Sequence, residues 1–224
     1  MMLNRTTRSL FIAGLLALSL VPSVHAIGQK APLPDPAIGN ELASRHGEQT
    51  AVFAGGCFWG VESLFLHVKG VLSSTSGYAG GSAETADYKT VGTGKTGHAQ
   101  VVRVVFDPSV VSYGQLLKVF FSHAHNPTEL DRQGNDVGSQ YRAAIFTTQP
   151  EQARVATAYV AQLGTAKVFD KAIVTKVDIL ERFYPAEIYH QGYVTRNMND
   201  PYVVENDLPK LEKFKSAFPQ LVRR

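Results

Sequence analysis

Ala51-Val52-Phe53-Ala54-Gly55-Gly56-Cys57-Phe58-Trp59-Gly60 decides how this chain is read. The apolar run Ala51–Ala54, closed by two glycines, has the pattern of a buried strand. After the cysteine, Val61, Leu64, Phe65 and Val68 recur at i, i+3, i+4 and i+7, the core-facing stripe of a helix. Cys57 then sits at the N-terminus of that helix. Unpaired backbone N–H groups and the positive end of the dipole favour an anion there. A thiol at such a place is expected to ionise readily, and the thiolate is the nucleophile. Gly55 and Gly56 permit a tight turn between strand and helix. The plain alternative is a small, inert core cysteine. The flanking glycines and the strand-to-helix position favour the chemical reading.

Working outward, the chain has 224 residues, a formal net charge of +3, 44% hydrophobic and 18% charged residues. That suits one domain with a full core. Its lysines and arginines are dispersed, with no run able to follow a phosphate backbone, which argues against nucleic acid. Residues 1–26 read as a secretory signal peptide: Arg5 and Arg8, an apolar run from Leu10 to Val21 too short to span a bilayer, then Val24-His25-Ala26. An uncleaved membrane anchor is the alternative. No cysteine follows the apolar run, which excludes bacterial lipidation. The expectation is a bacterial protein exported to the periplasm or secreted. Export normally brings disulfides, yet Cys57 is the single cysteine and has no partner in the chain. A lone thiol in an oxidising compartment is a liability unless it is used.

Residues 27–48 are rich in Pro, Gly and charge and read as a linker or an arm lying on the domain, which occupies 49–224. Strands are expected at 50–54, 99–106, 141–147 and 172–180. Helices are expected at 57–68, from the Ser112 cap through Phe121, at 149–163 with Pro150 in the first turn, and at 208–218. Residues 69–98 and 125–140 read as long polar loops, and loops of that length are commonly functional. The alternation of strands and helices indicates an α/β or α+β sheet with helices packed on it.

The two loops and the C-terminal third carry a particular set of residues. They include Gly77-Tyr78-Ala79-Gly80-Gly81, Tyr88, Thr96-Gly97-His98-Ala99-Gln100, Gln133-Gly134-Asn135-Asp136-Val137-Gly138-Ser139-Gln140-Tyr141-Arg142 and Tyr189-His190-Gln191. With Gly56-Cys57-Phe58-Trp59-Gly60, these motifs, in this order from about residue 50 to 195, resemble the peptide methionine sulfoxide reductase A family. The resemblance implies a two-layer sandwich related to the ferredoxin-like plait, with long loops and extensions. It also implies reduction of the S epimer of methionine sulfoxide, free or in proteins, and hence repair of oxidised exported proteins. No bound cofactor is implied, only an external thiol donor, thioredoxin-like or small, acting on a monomer.

By the same resemblance Cys57 is the nucleophile. Tyr88 and Tyr141 are donors to the sulfoxide oxygen, Asp136 organises the cysteine or a water, and Phe58 and Trp59 form the pocket for the substrate methyl. The chemistry agrees with these residue types. Attack on a sulfoxide sulfur needs donors aimed at the oxygen where charge builds. A neutral phenol remains a donor at pH 7, and sulfur packs favourably on aromatic rings. Attack leaves Cys57 as a sulfenic acid. His98 and His190 read as structural hydrogen-bonders. His123 and His125 lack a ligand set at metal spacing, so no metal is expected.

The chain departs from the family pattern twice. Gln100 stands where the motif has a glutamate proposed to protonate the sulfoxide oxygen. An amide donates a hydrogen bond but delivers no proton. Resolving cysteines are absent, so an external thiol must attack the sulfenic acid directly. Two further functions compete with the reductase: a non-catalytic binder of oxidised methionine, and a cysteine-nucleophile hydrolase with His98 or His190 as base.

Overall fold

Strand β1 (Gln49–Gly55) is buried on both faces. Ala51 and Phe53 enter the main apolar cluster, while Val52 and Ala54 enter a second one on the opposite side of the sheet. That is the period-2 alternation of a pleated strand. The computed structural model describes residues 31–223; the segment read as a signal peptide lies outside the described residues.

The chain continues through α1 (Phe58–Leu66), β2 (Val71–Ala79), the single-turn α2 (Tyr88–Val91), β3 (Ala99–Phe106) and α3 (Tyr113–Val119). A small two-stranded ribbon, β4 (Arg132–Gln133) with β5 (Asp136–Val137), precedes β6 (Ala143–Thr147) and α4 (Pro150–Ala166). Next come β7 (Lys176–Ile179), β8 (Phe183–Pro185), the short α5 (Tyr193–Arg196) and α6 (Leu208–Ala217). The sheet order is β7-β6-β1-β3-β2-β8. β3 lies antiparallel between β1 and β2, and β1 lies antiparallel between β3 and β6. Two split β-α-β units, β1-α1-β2 and β3-α3-β6, therefore interleave, which is the ferredoxin-like plait. β7 extends the sheet by a parallel pairing with β6 after α4, and β8 extends the other edge.

Local signals explain the helix starts. Ser112 Oγ accepts from the Gln115 N–H at 3.1 Å, and Gln115 Oε1 accepts from the Ser112 N–H at 2.9 Å. This reciprocal cap is worth about 1 kcal/mol. Pro150 opens α4, where its missing N–H costs nothing.

One expectation is overturned. Residues 69–98 are not one long loop, because they contain β2, which makes the most extensive strand pairing in the sheet together with β3. Its Ser, Thr and Gly content disguises it, and the same content serves the packing. Ser76 is fully buried, and a Cβ on Gly77 would lie 2.4 Å from the Tyr184 carbonyl oxygen of β8. Close approach of two backbones there requires glycine.

The arm lies on α3 and α4. Leu33 is buried, Tyr159 donates to the Pro34 carbonyl at 2.9 Å, and Lys118 pairs with Asp35 at 2.7 Å.

Candidate active site

The turn after β1 presents Cys57. Gly56 has φ +92°, a conformation L side chains avoid, and a Cβ there would meet Gln133 at 2.8 Å. Cys57 occupies the cap position of α1 with extended backbone (φ −59°, ψ 126°) and is partly exposed. The first free N–H of the helix, from Phe58, donates to Gln100 Oε1 at 3.1 Å. Gln100 is near the start of β3, whose antiparallel pairing with β1 sets it beside the end of that strand. Its amide oxygen is thus committed to the helix terminus behind Cys57, and the side chain is buried.

The loops deliver the remaining polar groups. Asp87 caps α2 by accepting from the Thr90 N–H at 3.0 Å, and the Tyr88 N–H donates to Glu187 Oε1 at 2.9 Å. Tyr141 closes a helical turn over Ser139–Tyr141, and Asp136 projects from the β4–β5 ribbon. Burial and then the charge of Cys57 and Asp136 hold the Tyr88 phenol above its ordinary range. Burial, Asp136, Tyr88 and Cys57 do the same to Tyr141. Cys57, Tyr88, Asp136 and Tyr141 therefore lie within mutual electrostatic reach, and both phenols stay protonated donors.

An aromatic wall adjoins the thiol. Trp59 stacks on Tyr193 with centroids 3.7 Å apart and meets Tyr202 edge-on at 5.8 Å. Its Nε1–H donates to His190 Nδ1 at 3.0 Å. His190 packs against Tyr88 at 4.2 Å and against Phe58 at 5.1 Å. Phe58 itself is 1% exposed and belongs to the core. It backs Tyr88, at 6.2 Å, while Trp59, Tyr88 and Tyr141 remain partly exposed.

Position at a helix terminus does not make Cys57 acidic. Burial and the charge of Asp207 push its pKa from 9.0 up to about 12, with a further push from Asp136. The Trp59 N–H and the Tyr202 side chain act in the opposite direction. A rise from 9.0 to about 12 corresponds to about 4 kcal/mol against ionisation. A helix terminus supplies ~0.3–1 kcal/mol, at most ~2. Desolvation and the two carboxylates win, so Cys57 rests as a thiol and the expectation of ready ionisation is corrected.

Two residues of this site carry no local sequence signal. Tyr202 donates to Asp136 Oδ2 at 2.5 Å and faces Cys57. Asp207 is 3% exposed, neither carboxylate oxygen has a partner among the described residues, and burial raises its pKa to about 6. Both lie in the segment before α6, which has no clear periodicity. His190 and Tyr193 fall within or beside a recognisable motif, yet their packing on Trp59 is a tertiary fact.

The histidines are occupied elsewhere. His98 Nε2 is 2.8 Å from the Ser82 carbonyl, and His190 holds Trp59. Neither His98 nor His190 hydrogen-bonds the thiol among the described residues, as a hydrolase dyad requires. Among the described residues no cluster of three His, Cys, Asp or Glu is placed to hold a metal.

Residues 49–221 match the family model described as peptide methionine sulfoxide reductase. The chain is 54% identical to peptide methionine sulfoxide reductase MsrA 2 of Mesorhizobium japonicum, over 78% of this chain and 90% of that protein. It is 51% identical to MsrA 2 of Synechocystis sp., over 83% and 88%. Among solved structures it resembles methionine sulfoxide reductase A of Corynebacterium diphtheriae, with TM-score 0.59, 35% identity, and coverage of 75% of this chain and 84% of that one. The reduced form of Mxr1 from Saccharomyces cerevisiae gives TM-score 0.63 at 27% identity, covering 71% and 91%.

Proposed function

The chain belongs to the peptide methionine sulfoxide reductase family, and we propose that Cys57 is the nucleophile with which it reduces the S epimer of methionine sulfoxide. The observation that carries this is the single cysteine at the start of α1, with Gln100 behind it and Tyr88, Tyr141 and Asp136 within electrostatic reach.

The resting thiol suits this chemistry. The sulfoxide oxygen enters among the Tyr88 and Tyr141 hydroxyls, which donate as charge grows on it. Cys57 sulfur attacks the sulfoxide sulfur, the oxygen passes to Cys57 sulfur as the transient bond between the two sulfurs and the original sulfur–oxygen bond break, and methionine departs, leaving Cys57 as a sulfenic acid. The step is proton-neutral, because the thiol proton ends on the sulfenic oxygen. Gln100 therefore need not supply a proton; its amide holds the helix terminus in place. Trp59, stacked on Tyr193, forms the wall for the substrate methyl, and Phe58 supports that wall from the core.

Sulfenic acid is returned to thiol by an external thiol donor, thioredoxin-like or small, since Cys57 is the chain's only cysteine. The reaction asks for no bound cofactor. The leader-like segment 1–26 supports an exported, periplasmic or secreted enzyme that acts on oxidised proteins there as a monomer.

The test is incubation with racemic methionine sulfoxide and dithiothreitol. Formation of methionine with loss of the S epimer alone is expected, and Cys57→Ser abolishes it. Stoichiometric binding without turnover overturns the reading in favour of a binding module.

A further inference from the structure

A recess reaches the Cys57 sulfur. This cleft of about 220 Å³ is lined by Cys57, Gln133, Asp136 and Tyr202 among others. None of Phe58, Trp59, Tyr88 or Tyr141 lines it. Charged residues line it too: Lys210 and Lys213 from α6, with Glu129 and Glu205. Neither lysine forms an ion pair with a described residue.

The chemistry of the second half-reaction needs such a place. Displacement at a sulfenic sulfur is collinear, so the incoming sulfur enters opposite the departing oxygen. That oxygen arrives with the substrate on the side of Tyr88 and Tyr141. The reducing thiol must then approach Cys57 from elsewhere, and this cleft reaches it along a lining that includes Tyr202 but none of Trp59, Tyr88 or Tyr141. We propose that the cleft is the binding site of a low-molecular-mass thiol carrying both a carboxylate and an ammonium group, with the carboxylate toward Lys210 and Lys213 and the ammonium toward Glu129 and Glu205. The size of the cleft fits a molecule of that class rather than a folded protein's surface. The inference rests on the reductase reading above.

The atoms balance. The bound thiol attacks Cys57–S–OH, the new S–S bond forms as the S–O bond breaks, and the thiol proton leaves with the hydroxide as water. A second molecule of the same thiol attacks the mixed disulfide and restores Cys57–SH. Two thiols are oxidised to one disulfide for each sulfoxide reduced.

The experiment separates the halves. Protein is mixed with methionine sulfoxide in the absence of reductant, and the burst of methionine per chain is measured. The sulfenic enzyme is then mixed with L-cysteine, 3-mercaptopropionate, cysteamine or 2-mercaptoethanol, and the loss of sulfenic acid is followed by mass spectrometry. Each variant is compared with the parent for each thiol, so intrinsic thiol reactivity cancels. Lys213→Glu is expected to slow L-cysteine and 3-mercaptopropionate about tenfold and to leave 2-mercaptoethanol unchanged. Asn206→Trp, which fills the cleft, is expected to slow all four thiols. Both variants keep the parental burst. A normal burst followed by unchanged rates, or by Lys213→Glu slowing all four thiols equally, overturns this inference alone. A parent protein that gives no burst overturns the reductase reading and this inference with it.

Discussion

The Tyr202 hydroxyl donates to Asp136 Oδ2 at 2.5 Å, which fastens the segment before α6 to the β4–β5 ribbon. The same tyrosine also lowers the Cys57 pKa through its side chain. The single phenolic hydrogen lies on Asp136 Oδ2 while the same side chain faces Cys57, an arrangement that makes Tyr202 a positioning residue for the nucleophile.

Tyr202→Phe is expected to move the Cys57 pKa further up and to slow the first half-reaction. The measurement is the pH dependence of Cys57 alkylation by iodoacetamide beside the methionine burst. A midpoint unchanged from the parent's rules out the assigned role, since a merely structural defect leaves no pKa signature.

Asp207 acts on the thiol in the opposite direction, since its negative charge is the second largest cause of the raised Cys57 pKa. Asp207→Asn is expected to lower the alkylation midpoint. It also has a stability signature. Burial raises the folded carboxyl from its ordinary 3.8 to about 6, so the folded state holds a proton that the unfolded state has lost between those values. Stability of the parent then falls as pH rises from about 4 to above 6, by up to about 3 kcal/mol from this group. Urea denaturation of parent and variant at pH 4 and pH 8 checks this. The gap between them is expected to shift in the variant's favour at pH 8, and a gap independent of pH contradicts the assignment.

Gly60 faces Asp207 across the first turn of α1. A Cβ there would lie 2.2 Å from Oδ1 and 2.9 Å from Cγ of Asp207. Gly60→Ala is expected to cost roughly 1–3 kcal/mol of stability by overpacking. In the Asp207→Ala background most of that loss should vanish, because the clashing atoms are gone. Additive losses in the double-mutant cycle would show that the strain lies elsewhere.

Gln100→Glu tests proton delivery. The new carboxyl would replace an amide that is 2% exposed and accepts from the Phe58 N–H. Because the Cys57 thiol itself supplies the proton of the sulfenic acid, the burst is expected to keep the parental rate and pH profile. An acceleration of about tenfold or more, with a new acidic limb, would show that the site lacks a proton source, since general acids contribute ~10²–10⁴. A burst with the parental rate and profile shows that position 100 serves only to hold the helix terminus.

Local patterns announced much of this architecture. The apolar run before Gly55, the stripe from Val61 to Val68, the Ser112 cap and Pro150 at the start of α4 are short-range signals, and each element appears where its signal lies. β2 reads as loop in the sequence because Ser73-Ser74-Thr75-Ser76-Gly77 has no apolar alternation. Its strand character comes from hydrogen bonding to β3 and β8, partners that no window of neighbouring residues contains. The same division holds at the site. Motif order placed Cys57, Tyr88, Gln100, Asp136 and Tyr141 around one chemistry, but nothing in those motifs indicated Phe58 as a core ring, Tyr202 as a partner of Asp136, or the cleft beside α6.

The amino-acid sequence by itself determined which atom reacts: one sulfur in the chain, set by two glycines at the junction of a strand and a helix. Only the tertiary structure decided the protonation state of that sulfur. Ionisation depends on how much water is excluded and on which charges stand nearby, and here Asp207 approaches from 150 positions down the chain. Periodicity and capping act over a few residues, whereas desolvation and Coulomb forces act through space, so the fold alone sets them.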